Sequence, residues 1–285
     1  MCIRDSLLPL HAAWREDPAA PTGRRYALDD LLLTYAPSAH ALAAARRVAA
    51  RTPADGLFAV DNPDGSLLFS AEEVATALEH FPPDRRRLLG GEAATRRAVL
   101  RELPRYPVLH FSTHGWADPG EPLQSGLLMA GGESLSLGDL LDLRLEGARL
   151  AVLSACETGL PGVELPEEVV SLPAGFLQAG VAGVVGSLWA VNEVSTAVLM
   201  ARFYDLWREG GRAPSQALRQ AQVWLRDSIN AEKEAFFRQA LPELAATRMA
   251  EQTARAAFWD AVTRRPEARD FAHPFYWAAF VCLGA

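Results

Sequence analysis

The residues best suited to chemistry are one histidine and one cysteine, each at the end of an apolar run. The first run is Val108-Leu109-His110-Phe111-Ser112-Thr113-His114-Gly115, and the second is Leu150-Ala151-Val152-Leu153-Ser154-Ala155-Cys156-Glu157-Thr158-Gly159. A thiol becomes a strong nucleophile when an imidazole takes its proton and the two are held as thiolate and imidazolium. Acyl transfer by such a pair also needs backbone N–H groups facing the developing oxyanion, and a glycine beside the base lets a carbonyl approach the main chain. Taken singly, a cysteine or a histidine at a strand end is more often structural than reactive. It is the repetition of the pattern in two runs that points to a pair formed by His114 and Cys156.

The remaining candidates are weaker. The chain has three cysteines, an odd number that cannot build a disulfide framework and suits a reducing compartment. Cys2 sits at the very start and Cys282 inside an apolar run, so both read as inert, although Cys282 is the one candidate resolving partner if Cys156 were a redox thiol. His110 shares the parity of His114 but lies mid-strand, where a buried, satisfied ring is expected. His273, before Pro274, reads as structural, and His11, His40 and His80 have no partner in sequence. Gly180, Gly183 and Gly186 lack a following Lys-Ser or Lys-Thr and are read as close packing of a strand, not a phosphate loop. Val185-Gly186-Ser187-Leu188-Trp189 is not a serine elbow, and no paired-cysteine spacing suggests zinc. Neither a metal nor an organic cofactor is expected.

The elements that must carry these residues follow an α/β rhythm, apolar runs alternating with segments of helical period, which predicts a parallel sheet. Strands are expected at Leu57–Val60, Arg87–Leu89, Val108–Ser112, Arg149–Ser154, Gly183–Trp189 and, last, Phe275–Leu283. Ser70 with Glu73 three residues on reads as a capping box. Helices are expected over Thr95–Leu103 and over Glu167–Gln178, the latter kinked at Pro173. Further helices are expected after Asn192, with Gly210-Gly211 as its stop, and from Pro214. In open parallel sheets the carboxyl ends of neighbouring strands form the ligand crevice, which is where His114 and Cys156 would meet.

Composition bounds the remainder. At 285 residues, 49% hydrophobic and 22% charged, the chain is expected to form one large α/β domain that buries a substantial core. A formal charge of −7 offers no field for a phosphate backbone, so nucleic acid is not expected as a direct partner. No apolar stretch is long enough to span a bilayer and no signal peptide is evident, so a cytoplasmic protein without membrane contact is expected. Residues 1–6 read as a scar or truncated start, and Leu7-Leu8-Pro9-Leu10 as a strand cut off from something upstream. Lys233 is the only lysine, which with the many alanines suggests a GC-rich bacterial genome.

Four blocks in order, His110-Phe111-Ser112-Thr113-His114-Gly115, Leu153-Ser154-Ala155-Cys156-Glu157-Thr158-Gly159, Gly186-Ser187-Leu188-Trp189 and His273-Pro274-Phe275-Tyr276-Trp277-Ala278-Ala279-Phe280, closely resemble the CHAT domain. This is a caspase-like peptidase module often joined to tetratricopeptide repeats in bacteria. The resemblance covers 7–285, with 230–270 the least matched part and read as a helical insertion before the last strand. It implies the caspase-like three-layer sandwich of the clan CD cysteine peptidases, which include separase, with a mostly parallel central sheet.

By position, the resemblance makes His114 the general base, Cys156 the nucleophile, and the N–H groups of Gly115 and Cys156 the oxyanion hole. Protein or peptide substrates, and control by an upstream sensor or tetratricopeptide-repeat region, are implied likewise. Clan specificity is partly set two residues before the nucleophile, where caspases carry Gln and metacaspases Asp; this chain has Ser154. Many relatives read Ser-Leu-Trp-Pro-Val-Asp-Asp where this chain has Ser187-Leu188-Trp189-Ala190-Val191-Asn192-Glu193. Glu193 is left either as a partner for a basic substrate side chain or as a carboxylate favoured by the helix dipole. The expectation is a cytoplasmic cysteine endopeptidase; the alternative is a catalytically idle interaction or scaffold module in a bacterial signalling or defence assembly.

Overall fold

The structure is a computed structural model that describes residues 8–118, 120–154, 171–236 and 265–285, with backbone alone over 237–240. Along these residues the strands are β1 (Trp14–Glu16), β2 (Arg24–Tyr26), β3 (Leu57–Asp61), β4 (Arg86–Gly90), β5 (Val108–Ser112), β6 (Gly115–Trp116), β7 (Gly126–Leu128), β8 (Ser134–Ser136), β9 (Leu150–Ser154), β10 (Gly183–Ser187) and β11 (Phe280–Gly284). The helices are α1 (Ala27–Asp30), α2 (Ala39–Arg51), α3 (Ser70–Glu79), α4 (Arg96–Glu102), α5 (Leu137–Leu141), α6 (Leu172–Ala179), α7 (Glu193–Tyr204), α8 (Pro214–Asp227), α9 (Asn230–Ala240) and α10 (Pro274–Trp277).

Six strands form the central sheet in the order β11-β10-β9-β5-β3-β4. All neighbours are parallel except the β10–β11 pair, which is antiparallel. The expected α/β class with a mostly parallel central sheet is therefore what the chain adopts. Successive residues of one strand serve opposite faces, as the pleat requires. On β5, Val108 joins the apolar layer built with α7 and α8, whereas Leu109 and Phe111 join the layer built with α5 and α6. Burial on both faces explains why β3, β5 and β9 read as continuous apolar runs and not as alternations. Each large side chain buried this way contributes about 1.5–3 kcal/mol, and Trp277, Tyr204, Phe111, Phe176 and Phe203 are all completely or almost completely enclosed.

The chain leaves β3 for the edge strand β4 and then crosses back to β5 on the other side of β3. That reversal makes the β3–β5 carboxyl ends a topological switch point, where α/β sheets open a crevice. A small antiparallel sheet, β6-β7-β8, stands directly after β5.

Several local expectations are corrected. Ser70 is not a cap: it is the first residue of α3, and its hydroxyl bonds the Asp61 carboxylate. Pro173 does not kink a helix. It lies in the first turn of α6 behind the Ser171 cap, where its missing N–H costs nothing, while 167–170 fall outside the described residues. The final segment is not one strand: His273 caps the short helix α10 through a 3.2 Å bond from the Phe275 N–H, and β11 begins only at Phe280. Leu10–Ala12 is a 3₁₀ turn, not a strand, and Leu8 and Leu10 are exposed. Of the expected insertion 230–270, α9 is helical, and 241–264 lie outside the described residues.

Gly180 turns out to be the C-cap of α6, with a φ of 111° that side chains avoid. At Gly183 an added Cβ would lie 2.5 Å from the Ala285 carbonyl oxygen, so close strand packing is the correct account there.

Candidate active site

The strand register sets the site. Ser112 on β5 pairs directly with Ser154 on β9, and Asp61 on β3 pairs with Ser112. Thus the chain leaves three adjacent strands at one level. Beyond these ends lies a cavity of about 80 Å³ lined by side chains from five segments. Leu67, Phe69, Ser70 and Glu73 come from the β3–α3 connection and α3, Ser112, Thr113 and His114 from β5 and its turn, Ser154 from β9, and Val191, Glu193 and Thr196 from the approach to α7 and its first turn.

His114 is half-buried, two residues beyond the end of β5. Its main chain is fixed by the small sheet: Leu128 N–H donates to the His114 carbonyl at 2.8 Å, and the Thr113 hydroxyl donates to the Leu128 carbonyl at 2.7 Å. The same bond defines Gly115 and Leu127 as a pair whose own N–H groups are not exchanged between the strands. The Gly115 N–H is therefore not taken up by β7. The His114 ring meets the Ser66 hydroxyl at 2.7 Å through Nε2.

Ser154 is 6% exposed and lies at the cavity wall. Glu193 is the first residue of α7, where the helix dipole favours a carboxylate. One of its oxygens, Oε2, accepts from the N–H groups of Leu68 at 2.7 Å and Phe69 at 3.1 Å. The Asn192 cap just before it holds as expected, its side-chain oxygen accepting from Ser195 N–H at 3.0 Å.

Beneath the cavity is a buried polar chain that could not be foreseen from sequence. His110 is buried as expected but only half satisfied, its Nδ1 lying 3.0 Å from the Tyr204 hydroxyl. Its Nε2 lies 3.1 Å from Glu73 Oε1, a close contact not aligned as a hydrogen bond, so the attraction is electrostatic. Burial, with the Glu73 charge adding to it, pushes the Tyr204 hydroxyl well above its usual range. Burial likewise raises the Asp61 carboxyl, against the Ser70 hydrogen bond, and Glu73 raises it further. The only sequence signal for this chain was the shared parity of His110 and His114.

Of the predicted site residues, His114, Ser154 and Glu193 line one cavity, and Gly115 follows His114 at the start of β6. Cys156 and Cys2 lie outside the described residues. Cys282 is 2% exposed, and burial pushes its thiol up to about 12, only partly offset by the Arg149 charge; such a thiol is a poor resolving partner. Among the described residues no group of three or more His, Cys, Asp or Glu converges as a metal site would require, and no helix is long and apolar enough to cross a membrane.

A mostly parallel sheet with a histidine and paired serines at its carboxyl edge defines a caspase-like α/β protein. The chain belongs to the CHAT domain family, whose family model matches residues 6–285. Among solved structures it is similar to separase in the Saccharomyces cerevisiae separase–securin complex, at 17% identity and a TM-score of 0.50, over 68% of this chain and 13% of that chain. It is also similar to the Arg-specific cysteine proteinase gingipain R, at 7% identity and a TM-score of 0.44, over 80% of this chain and 46% of that one. The complex of the Porphyromonas gingivalis RgpB pro- and mature domains gives 10% identity and 0.45, over 80% and 47%. This chain thus spans 13% of the separase chain and less than half of the gingipain chains. At 17% identity the likeness to separase shows the fold alone. No curated protein sequence matches.

Proposed function

We propose that the chain is a cysteine endopeptidase that cleaves protein or peptide substrates with Cys156 as nucleophile and His114 as base. The observation that carries this reading is the direct pairing of Ser112 with Ser154. His114 follows Ser112 by two positions, as Cys156 follows Ser154. Two residues reach at most about 7 Å, and paired strands run about 4.8 Å apart, so this connectivity supports the reading by allowing thiol and imidazole to approach each other.

The chemistry is acyl transfer. The Cys156 proton passes to His114, and Sγ bonds to the scissile carbonyl carbon. The oxyanion takes hydrogen bonds from the N–H groups of Gly115 and Cys156. The C–N bond then breaks as imidazolium protonates the leaving amine, leaving a thioester. Water attacks the thioester, giving a proton to His114; the C–S bond breaks, the acid product leaves, and the imidazolium returns its proton to the Cys156 sulfur. No metal or organic cofactor enters these steps. Ser154 and Glu193, at the cavity wall, are assigned to the substrate side chain before the cut. Control by a tetratricopeptide-repeat or sensor region and a cytoplasmic location belong to the same proposal.

The test is covalent labelling with a peptidyl acyloxymethyl ketone. Cys156 should be modified, Cys156→Ala should not react, and His114→Ala should react about 10²–10⁴-fold more slowly, the usual range for a lost general base. Labelling of Cys156 at the rate of a free thiol, unchanged in His114→Ala, would overturn the reading.

A further inference from the structure

The turn Asn62–Leu67 between β3 and α3 is built more firmly than a surface connection requires. Asn62 adopts a φ of 44°, in the left-handed region that its short polar side chain tolerates. Its side-chain amide clips the turn in both directions, Nδ2 donating to the Leu67 carbonyl at 2.8 Å and Oδ1 accepting from Leu67 N–H at 3.0 Å. Its own N–H donates to the Ser112 carbonyl at 2.8 Å, which ties the turn to the strand that carries His114. At the far side Glu193 holds the N–H groups of Leu68 and Phe69. Between these two clamps the turn presents Ser66 to the imidazole.

The hydroxyl of Ser66 lies 2.9 Å from each carboxylate oxygen of Asp64 and 2.7 Å from His114 Nε2. A hydroxyl has one proton to donate, and a carboxylate accepts only. With that proton directed to Asp64, Ser66 Oγ accepts from the ring, so Nε2 carries the hydrogen. We propose that Asp64 and Ser66 are positioning residues for His114, fixing the tautomer with Nε2–H bound to Ser66 and the Nδ1 lone pair free to take the Cys156 proton. The role assigned to Nδ1 rests on the peptidase reading; the tautomer does not.

Asp64 is held below the usual carboxylate range despite some desolvation, by the hydroxyl and N–H of Ser66 and by the His114 charge. The other ionisable groups lining the cavity are Glu73 from α3 and Glu193 from α7. Glu73 lies against His110 and Glu193 against the turn, whereas Ser66 contacts the His114 ring directly.

The test is a ¹⁵N-histidine NMR titration of the full chain carrying Cys156→Ala, with the His114 signals assigned by their loss in His114→Ala. The neutral ring should show hydrogen on Nε2. Ser66→Ala and Asp64→Asn should each mix the tautomers. Ser66→Thr, which keeps the hydroxyl, should restore the single form. In the chain with Cys156 intact, Cys156 alkylation should slow in the variants that mix the tautomers. An unchanged His114 tautomer in Ser66→Ala and Asp64→Asn would overturn the proposal. Failure of the peptidase reading would be distinct, since Cys156 would then alkylate as a free thiol while the NMR response persisted.

Discussion

Glu73 Oε1 and His110 Nε2 lie 3.1 Å apart, with only 4% and 0% of their side chains exposed. The pair bridges α3 and β5 directly below the cavity, and Tyr204 closes it from α7. Removing one partner strands the other in a low-dielectric interior, which commonly costs about 3–5 kcal/mol for a charged pair and about 1–3 kcal/mol for a neutral one. Glu73→Ala is therefore expected to lower stability by about 3 kcal/mol, and Glu73→Gln by less, because an amide keeps a polar oxygen for the Ser112 hydroxyl and fills the same space. Denaturant midpoints of the two variants check this; equal midpoints for Glu73→Ala and the parent would show that the pair contributes nothing.

His11 is predicted to make stability fall with acid. It is 4% exposed, its ring edge-on to Trp277 at 6.1 Å, and burial lowers its pKa from 6.5 to about 4, against a hydrogen bond with the Ala278 backbone that raises it. Between those values the unfolded chain binds the proton and the folded one does not. The stabilisation is therefore complete above 6.5 and is lost as the pH falls toward 4, amounting to about 3 kcal/mol. Asp61, whose carboxyl is raised, acts with the opposite sign in acid, so the measurement must be a difference. His11→Gln should flatten the stability curve between pH 6.5 and 4 relative to the parent; parallel curves would contradict the assignment.

These two interiors also mark how far the sequence could be read. Strand ends and a cap such as Asn192 were legible because each is decided by neighbours in sequence. So was the adjacency of β5 and β9, since two buried parallel strands bearing matched small residues tend to lie side by side; the meeting expected of His114 and Cys156 itself falls outside the described residues. Glu73 was misread because Ser-x-x-Glu satisfies a capping box and a tertiary contact equally well, and its partner His110 arrives from a different strand. Ser66 left a faint signal only, an Asp-Gly-Ser turn directly after a strand, and its meaning depended on β5 lying next to β3. Pro173 and the segment after Pro274 were misjudged for a related reason: whether a proline bends a helix, precedes a strand or begins a helix depends on where the helix starts, and only the Ser171 and His273 caps decide that.

Cys282 is expected to be inert in the folded protein. It sits in the middle of β11, paired with Val185 of β10, and burial raises its thiol to about 12. At around pH 8 a negligible fraction is thiolate, the only form that reacts with alkylating agents. Iodoacetamide followed by peptide mass spectrometry should leave Cys282 unmodified in the native protein and modify it fully in denaturant. Mild peroxide should likewise produce no Cys156–Cys282 link; its appearance would restore the redox-thiol reading.

Glu193 separates two roles that sequence left open. Its Oε2 holds the Leu68 and Phe69 amides, and hydrogen bonds to a charged acceptor contribute about 1.5–3 kcal/mol. Glu193→Ala should therefore raise hydrogen exchange at Leu68 and Phe69 by about tenfold or more and slow peptide cleavage, because the turn bearing Ser66 loses one of its clamps. Glu193→Gln keeps a carbonyl oxygen for the same amides and should recover most of the exchange protection. The two variants then divide the carboxylate's work. If its charge also receives a basic side chain of the substrate, Glu193→Gln should lose cleavage before Arg or Lys as severely as Glu193→Ala while its amides stay protected. If the clamp is its whole role, cleavage should return together with protection, whatever residue precedes the scissile bond.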